Sequence, residues 1–246
     1  MAWGEGMNWC RVERIGNATL YLGDSEALRH LLPAHDALLC DPPYGIAVAT
    51  DIGAGDIRRA AFAGDFTRRQ KGYRPIKGDD RPFDPNPWLS ERPTLFWGAN
   101  YFAHRLPAGR WLGWDKREGL KPNCQSDMEL AWTNVPGNTV RLHRQMWSGM
   151  VRRGDFWRCG QHGSRREHPT EKPVQLMAWC IRMMRLKPGA VILDPYMGVG
   201  TAGAAAVLMD HPYVGVECET RYFNAACDRL ALVQRDPAAW AGKLAA

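Results

Sequence analysis

The most chemically loaded stretch of the chain is Asp41-Pro42-Pro43-Tyr44. Prolines fix φ and cannot donate to a sheet ladder, so the tetrapeptide reads as a rigid ledge at a strand end. On such a ledge the Asp41 carboxylate and the Pro42 carbonyl each accept a hydrogen bond, and the Tyr44 ring offers a stacking face. A planar base bearing an exocyclic amine suits that arrangement, one hydrogen of the amine for each acceptor. Taken alone, the stretch also reads as a structural proline turn.

A second stretch is Asp194-Pro195-Tyr196-Met197-Gly198-Val199-Gly200-Thr201. Its glycines let backbone approach a ligand closely, and Glu217, seventeen residues past Gly200, ends the next strand where a carboxylate binds ribose hydroxyls. By itself this fits a tight turn or an NAD-binding oxidoreductase, and the latter leaves Asp41 to Tyr44 idle. Cys159 and His162 make one pair of metal-ligand types without a second, so no metal site is expected.

The elements that carry these residues follow from the apolar pattern. Residues 19–22 read as a strand ending at Gly23-Asp24, with Ser25 capping a helix through Leu32. Residues 37–40 are continuously apolar, as in a strand covered on both faces. Residues 46–93 lack periodicity and read as a long mobile loop near the catalytic stretch, with room for one short helix. Strands are expected at 94–97, 111–114 and 128–132. Lys172-Pro173 then opens a helix whose Val174, Met177, Ile181 and Met184 share one face and which Lys187-Pro188-Gly189 ends. A strand over 190–193, an alanine-rich helix, a strand over 213–216 and a last helix capped by Thr220 complete one half of a doubly wound α/β sheet.

At 246 residues and 45% hydrophobic content the chain is sized for one domain, 1–246. It shows neither a signal-peptide pattern nor an apolar run of the roughly 18 residues that span a bilayer. Its seven cysteines include no Cys-x-x-Cys pair, which fits a reducing cytoplasm. The net charge of +6 is concentrated: Arg141, Arg144, Arg152, Arg153, Arg158, Arg165 and Arg166 face one carboxylate, Asp155, across that span, with Trp147 and Trp157 interleaved. This segment, within 135–167, reads as a phosphate-binding surface.

Together, Asp41-Pro42-Pro43-Tyr44-Gly45, the stretch from Asp194 to Thr201 and His168-Pro169-Thr170-Glu171-Lys172-Pro173-Val174 resemble the motifs of DNA adenine and cytosine amino-methyltransferases. With the catalytic motif first, a basic region next and the cofactor motif last, the order is similar to that of the circularly permuted beta group. Gly23-Asp24, Phe96-Trp97-Gly98-Ala99-Asn100-Tyr101, Trp111-Leu112-Gly113-Trp114-Asp115-Lys116 and Glu129-Leu130-Ala131-Trp132 look like segments of its solitary, phage-type members. Tyr196 replaces the more usual phenylalanine and Val199 a frequent serine.

The resemblance implies a Rossmann-like, doubly wound, mostly parallel sheet with a small target-recognition insertion, and S-adenosylmethionine as cofactor. It implies catalysis by Asp41, Pro42, Pro43 and Tyr44 on a base flipped from double-stranded DNA. Around the cofactor it places Asp24, Asp41, Thr170, Lys172, Asp194, Tyr196, Gly198, Gly200, Thr201 and Glu217, and it makes 135–167 the target-recognition region. Aspartate at position 41 favours N6-adenine over N4-cytosine. A silent DNA-binding regulator is the alternative from another class, and a glutamine-modifying protein methyltransferase disagrees in both motif and order. A homodimer is expected from the family.

Overall fold

The computed structural model describes residues 9–46, 76–119, 126–148, 151–152, 171–241 and 244. The chain enters as an antiparallel hairpin, β1 (Trp9–Ile15) and β2 (Ala18–Gly23), followed by α1 (Ser25–Leu28) and β3 (Ala37–Cys40). Next come β4 (Thr94–Trp97), β5 (Arg110–Asp115), β6 (Met128–Thr133) and β7 (Arg141–Arg144). A separate two-stranded sheet, β8 (Trp147–Ser148) and β9 (Val151–Arg152), precedes α2 (Val174–Met184). The last elements are β10 (Ile192–Asp194), α3 (Thr201–Leu208), β11 (Tyr213–Glu217), α4 (Thr220–Arg235) and α5 (Pro237–Ala241).

Nine strands form the main sheet in the order β1-β2-β11-β10-β3-β4-β6-β5-β7. The inner five, β2 to β4 in that order, are parallel. All four side chains of β3 are buried, as expected for a strand covered on both faces. Alternate residues serve opposite faces: Leu39 packs with the α2, α3 and α4 side, and Leu38 and Cys40 pack with Phe83, Trp88, Phe96 and Phe102. In α2, Leu176, Met177, Cys180, Ile181 and Met184 are buried at helical spacing. Every side chain of α3 from Thr201 to Val207 is buried, and its alanines let it lie close to the sheet between neighbouring helices.

Two helix starts differ from the expected ones. Asp24, not Ser25, caps α1: its Oδ1 accepts from the amides of Glu26 (3.0 Å) and Ala27 (3.3 Å), while Ser25 is already helical. The helix stops at Leu28 instead of Leu32, and Pro33 disfavours helical geometry at the residue before it. Glu219, not Thr220, is the cap position of α4, with extended backbone and no side-chain cap bond. Of the segment read as a loop over 46–93, residue 46 and residues 76–93 are described. The latter part has a short 3-10 turn, Asn86–Trp88, and buries Phe83 and Trp88 against the sheet.

The strand order sets where chemistry is possible. From β3 the chain proceeds to β4 on one side, and from β10 through α3 to β11 on the other. At such a switch point the connections part and leave a crevice at the carboxyl ends of the two strands. Asp41 follows β3 and Asp194 ends β10, so both loaded stretches open into the same crevice.

Candidate active site

The crevice is a cleft of about 1310 Å³ lined by Asp41 to Tyr44, Lys172, Asp194, Tyr196 to Val199, Thr201 and Glu217. Gly200 is buried beneath it: a β-carbon there would press on Ala226 and Leu230 of α4. Gly198, at φ +52°, has open space where a side chain would project, so the backbone of this turn is bare to the cleft. Asp24 is not among the lining residues. It is exposed, caps α1, and stands 3.6 Å from Lys77 Nζ.

Asp41, Tyr44 and Lys172 form a closed triangle. Lys172 Nζ donates to Asp41 Oδ1 (2.5 Å) and to Tyr44 Oη (2.8 Å), and Tyr44 Oη donates to the same Asp41 oxygen (2.8 Å). The Lys172 side chain is 3% exposed and its ammonium also lies over the rings of Tyr44 and Trp97. Burial pushes the Asp41 carboxyl up, and Lys172 opposes it. Burial also works against the charge on Lys172, but Asp41 and Glu129 outweigh it and hold the ammonium above its ordinary value.

Neighbouring backbone fits the Tyr44 ring closely. Gly98, at φ +65°, allows the turn Ala99–Tyr101 to pass under it, and a β-carbon there would collide with the ring. Tyr101, 46% exposed, stacks on Tyr44 with centroids 5.4 Å apart and planes 22° from parallel. The amide of Gly45 donates to the buried Asp79 carboxylate (2.9 Å), which fixes the exit of the ledge. None of Gly98, Tyr101 and Asp79 was singled out from sequence as a site residue. Tyr101 lay within a motif, whereas Asp79 sat in an aperiodic stretch with no local signal.

On the other wall, Asp194 accepts from the amide of Tyr196 (3.1 Å) and from the Tyr213 hydroxyl (3.0 Å). Glu217 Oε1 accepts from the amide of Glu219 (2.7 Å). Burial raises both carboxyls to about 7. Both therefore hold protons that the unfolded chain releases near pH 4, and stability contributed below that range is lost as pH rises toward 7. Thermal melts should show wild type losing more stability than Glu217→Gln between pH 5 and 8; parallel curves would refute the burial argument for Glu217. Two carboxyl groups beside a bare glycine turn match a ligand rich in hydroxyls and other hydrogen-bonding groups, which S-adenosylmethionine has.

Among the arginines of the basic segment, Arg141 and Arg144 lie on the edge strand β7 and are exposed, with Arg144 3.6 Å from Asp115. Arg152 lies on β9, and nothing is described of its side chain. Arg153, Arg158, Arg165, Arg166 and Thr170 lie outside the described residues. Among the described residues no group of three or more His, Cys, Asp or Glu could hold a metal ion, and no helix is long and apolar enough to cross a membrane.

Comparison with known proteins gives matches over part of the chain. Residues 112–228 match the DNA methylase family of N6/N4 type. The chain is 27% identical over 150 residues to the Type II methyltransferase M.HinfI of Haemophilus influenzae, covering 61% of this chain and 39% of that protein. It is 38% identical over 141 residues to the Type II methyltransferase M2.MboI of Moraxella bovis, covering 56% of this chain and 45% of that protein. The chain thus spans less than half the length of these curated relatives. The structure of the PvuII DNA methyltransferase, described as cytosine-N4-specific, aligns with TM-score 0.52 at 15% identity, covering 91% of this chain and 93% of that one, and shows the shared fold. The doubly wound sheet brings the two motifs together at its switch point, and residues 112–228, which carry the second of them, are similar to the N6/N4 DNA methylase family.

Proposed function

We propose that the chain transfers a methyl group from S-adenosylmethionine to the N6 amine of an adenine flipped out of double-stranded DNA. The observation that carries this reading is that Asp41 and the glycine turn at Gly198, distant in sequence, open into one cleft. When bound, the cofactor supplies a methyl group activated on a sulfonium. Asp194, Tyr196, Gly198 and Thr201 would hold its methionine end and Glu217 its ribose, with Thr170 assigned there by motif alone.

An exocyclic amine is a weak nucleophile because its lone pair is delocalised into the ring. Asp41 and the Pro42 carbonyl would each accept a hydrogen bond from one of its two N–H groups and stabilise the positive charge that grows on nitrogen during transfer. Tyr44 would stack on the extruded base, taking the face that Tyr101 covers here. The Tyr44 hydroxyl, which burial holds well above the ordinary tyrosine value, stays protonated and steadies Asp41. Arg141 and Arg144, with the rest of the basic segment, would contact phosphate or guanine.

Gly98→Ala probes the ring's seat. A left-handed alanine costs about 1–2 kcal/mol, and its methyl group displaces Tyr44. Methyl transfer should fall about tenfold or more, with a melting point only a few degrees lower. Unchanged turnover would show that the ring position is not needed.

The function itself is tested by modification-sensitive sequencing of DNA from cells expressing the protein, beside an Asp41→Ala control. Methylated adenine at one short motif, seen only with the active form, is the expected result. Methylated cytosine amines would move the target base to cytosine, and no mark on either base would overturn the reading in favour of a silent DNA-binding regulator.

A further inference from the structure

The motif stretch Glu129-Leu130-Ala131-Trp132 carries a carboxylate that the reading above leaves without a task. Glu129 stands on β6 and lines the same cleft. Its Oε1 accepts from Lys116 Nζ (2.8 Å), and its Oε2 lies 3.5 Å from Lys172 Nζ. One ammonium therefore sits between two carboxylates, bonded to Asp41 at 2.5 Å and one small displacement short of bonding to Glu129. The four groups alternate in charge: Asp41, Lys172, Glu129, Lys116.

The arrangement raises a conflict within the proposed reaction. Lys172 occupies the Asp41 oxygen with an N–H donor, which is the chemistry the target amine would bring. Lys172 and Tyr44 both donate to Oδ1; when the amine takes that oxygen the ammonium moves, and at 3% exposure it has almost no water to receive it. An ammonium left unpaired in such a place costs several kcal/mol. We propose that Glu129 is a positioning residue that takes the Lys172 ammonium when the target amine claims Asp41. The inference rests on the methyl-transfer reading. Lys116, from the end of β5, holds the Glu129 carboxylate in place, and β6 gives it a rigid base.

The groups that face Glu129 are Lys116 behind β5, Lys172 ahead of α2, and Asp41 and Tyr44 behind β3. Burial works to raise the Glu129 carboxyl, but the two lysines outweigh it and hold it low, so it is charged and ready to receive the ammonium. Its charge in turn pushes the Asp41 carboxyl upward.

The test uses the full chain, S-adenosylmethionine and mixed genomic DNA. Glu129→Gln should lower kcat about tenfold, the worth of one charge-assisted hydrogen bond, and move the acid limb of the kcat profile to lower pH. Glu129→Asp should return the limb and part of kcat. An unmoved limb overturns the proposal whether or not kcat falls, because a packing defect lowers turnover without moving a titration. If Glu129→Gln fails to fold, Lys116→Met serves instead: Glu129 then draws Lys172 further from Asp41 and the limb should move to higher pH, an unmoved limb again overturning it. If wild type transfers no methyl group to DNA, the methyl-transfer reading fails separately. Side-chain nitrogen NMR of Lys172 then decides: a lower titration midpoint in Glu129→Gln supports the shared ammonium, and an equal midpoint refutes it.

Discussion

Asp41→Ala should reduce methyl transfer by about two to three orders of magnitude while changing the dissociation constant for S-adenosylmethionine only a few-fold. The loss is of the size seen when a preorganised group facing developing charge is removed. In this site Asp41 is held from two sides, by Lys172 and Tyr44, so its oxygens are placed before any base arrives. Alanine removes that acceptor and leaves Lys172 leaning on Glu129, 3.5 Å away. Asp41→Asn separates the two contributions: it keeps shape and one acceptor but loses the charge proposed to stabilise the methylated amine. Tritiated methyl transfer measures turnover, and calorimetry measures cofactor binding. Equal loss of both would place Asp41 with the cofactor instead of the base.

Glu171→Ala should lower stability by about 3–5 kcal/mol, the cost of removing one partner from a buried ion pair. Glu171 Oε1 accepts from Arg229 Nη2 at 2.6 Å, and the two side chains are 10% and 2% exposed. The pair joins the segment just ahead of α2 to the middle of α4, and the Glu171 carbonyl also accepts from Trp147 Nε1 (2.8 Å). For a chain of this size a loss of that order lowers the melting temperature by about 10 °C. Glu171→Gln retains an acceptor for Arg229 and should recover part of it. A melting point within 2 °C of wild type for Glu171→Ala, taken roughly as less than 1 kcal/mol, would show that the pair only offsets its own desolvation. Glu171 is thus a clamp within a motif that otherwise serves the cleft, since Lys172, the next residue, points its ammonium at Asp41.

How much of this was legible beforehand varied with the locality of the signal. The strand at 37–40 and the ledge behind it were readable because four apolar residues followed by two prolines leave few alternatives. The helix from Val174 and the strand ending at Glu217 were readable for similar reasons. The strand β1 was missed, since its alternation of arginine, valine and glutamate reads as polar and its place depends on pairing with β2. Edge strand β7 was missed because Arg141, His143 and Arg144 suggested a charged surface, and only pairing with β5 makes it a strand. The residues Asp41, Tyr44, Asp194 and Glu217, which line one cleft, were singled out from motif and spacing. The pairing of Lys172 with Asp41 was not, because the two are 131 residues apart and only the closed sheet brings them together.

The placement of β2 has a kinetic consequence. Its partner β11 lies almost two hundred residues later, pairing Ala18 with Tyr213 and Leu22 with Glu217. Synthesis at about 5–20 residues per second separates the two strands by roughly 10–40 s. For that interval the first hairpin has an unpaired edge, and the wall that should hold the cofactor does not yet exist. Contacts of such long range also slow the folding of the finished chain. Chaperone dependence and expression temperature should therefore govern the yield of this protein more than its final stability does.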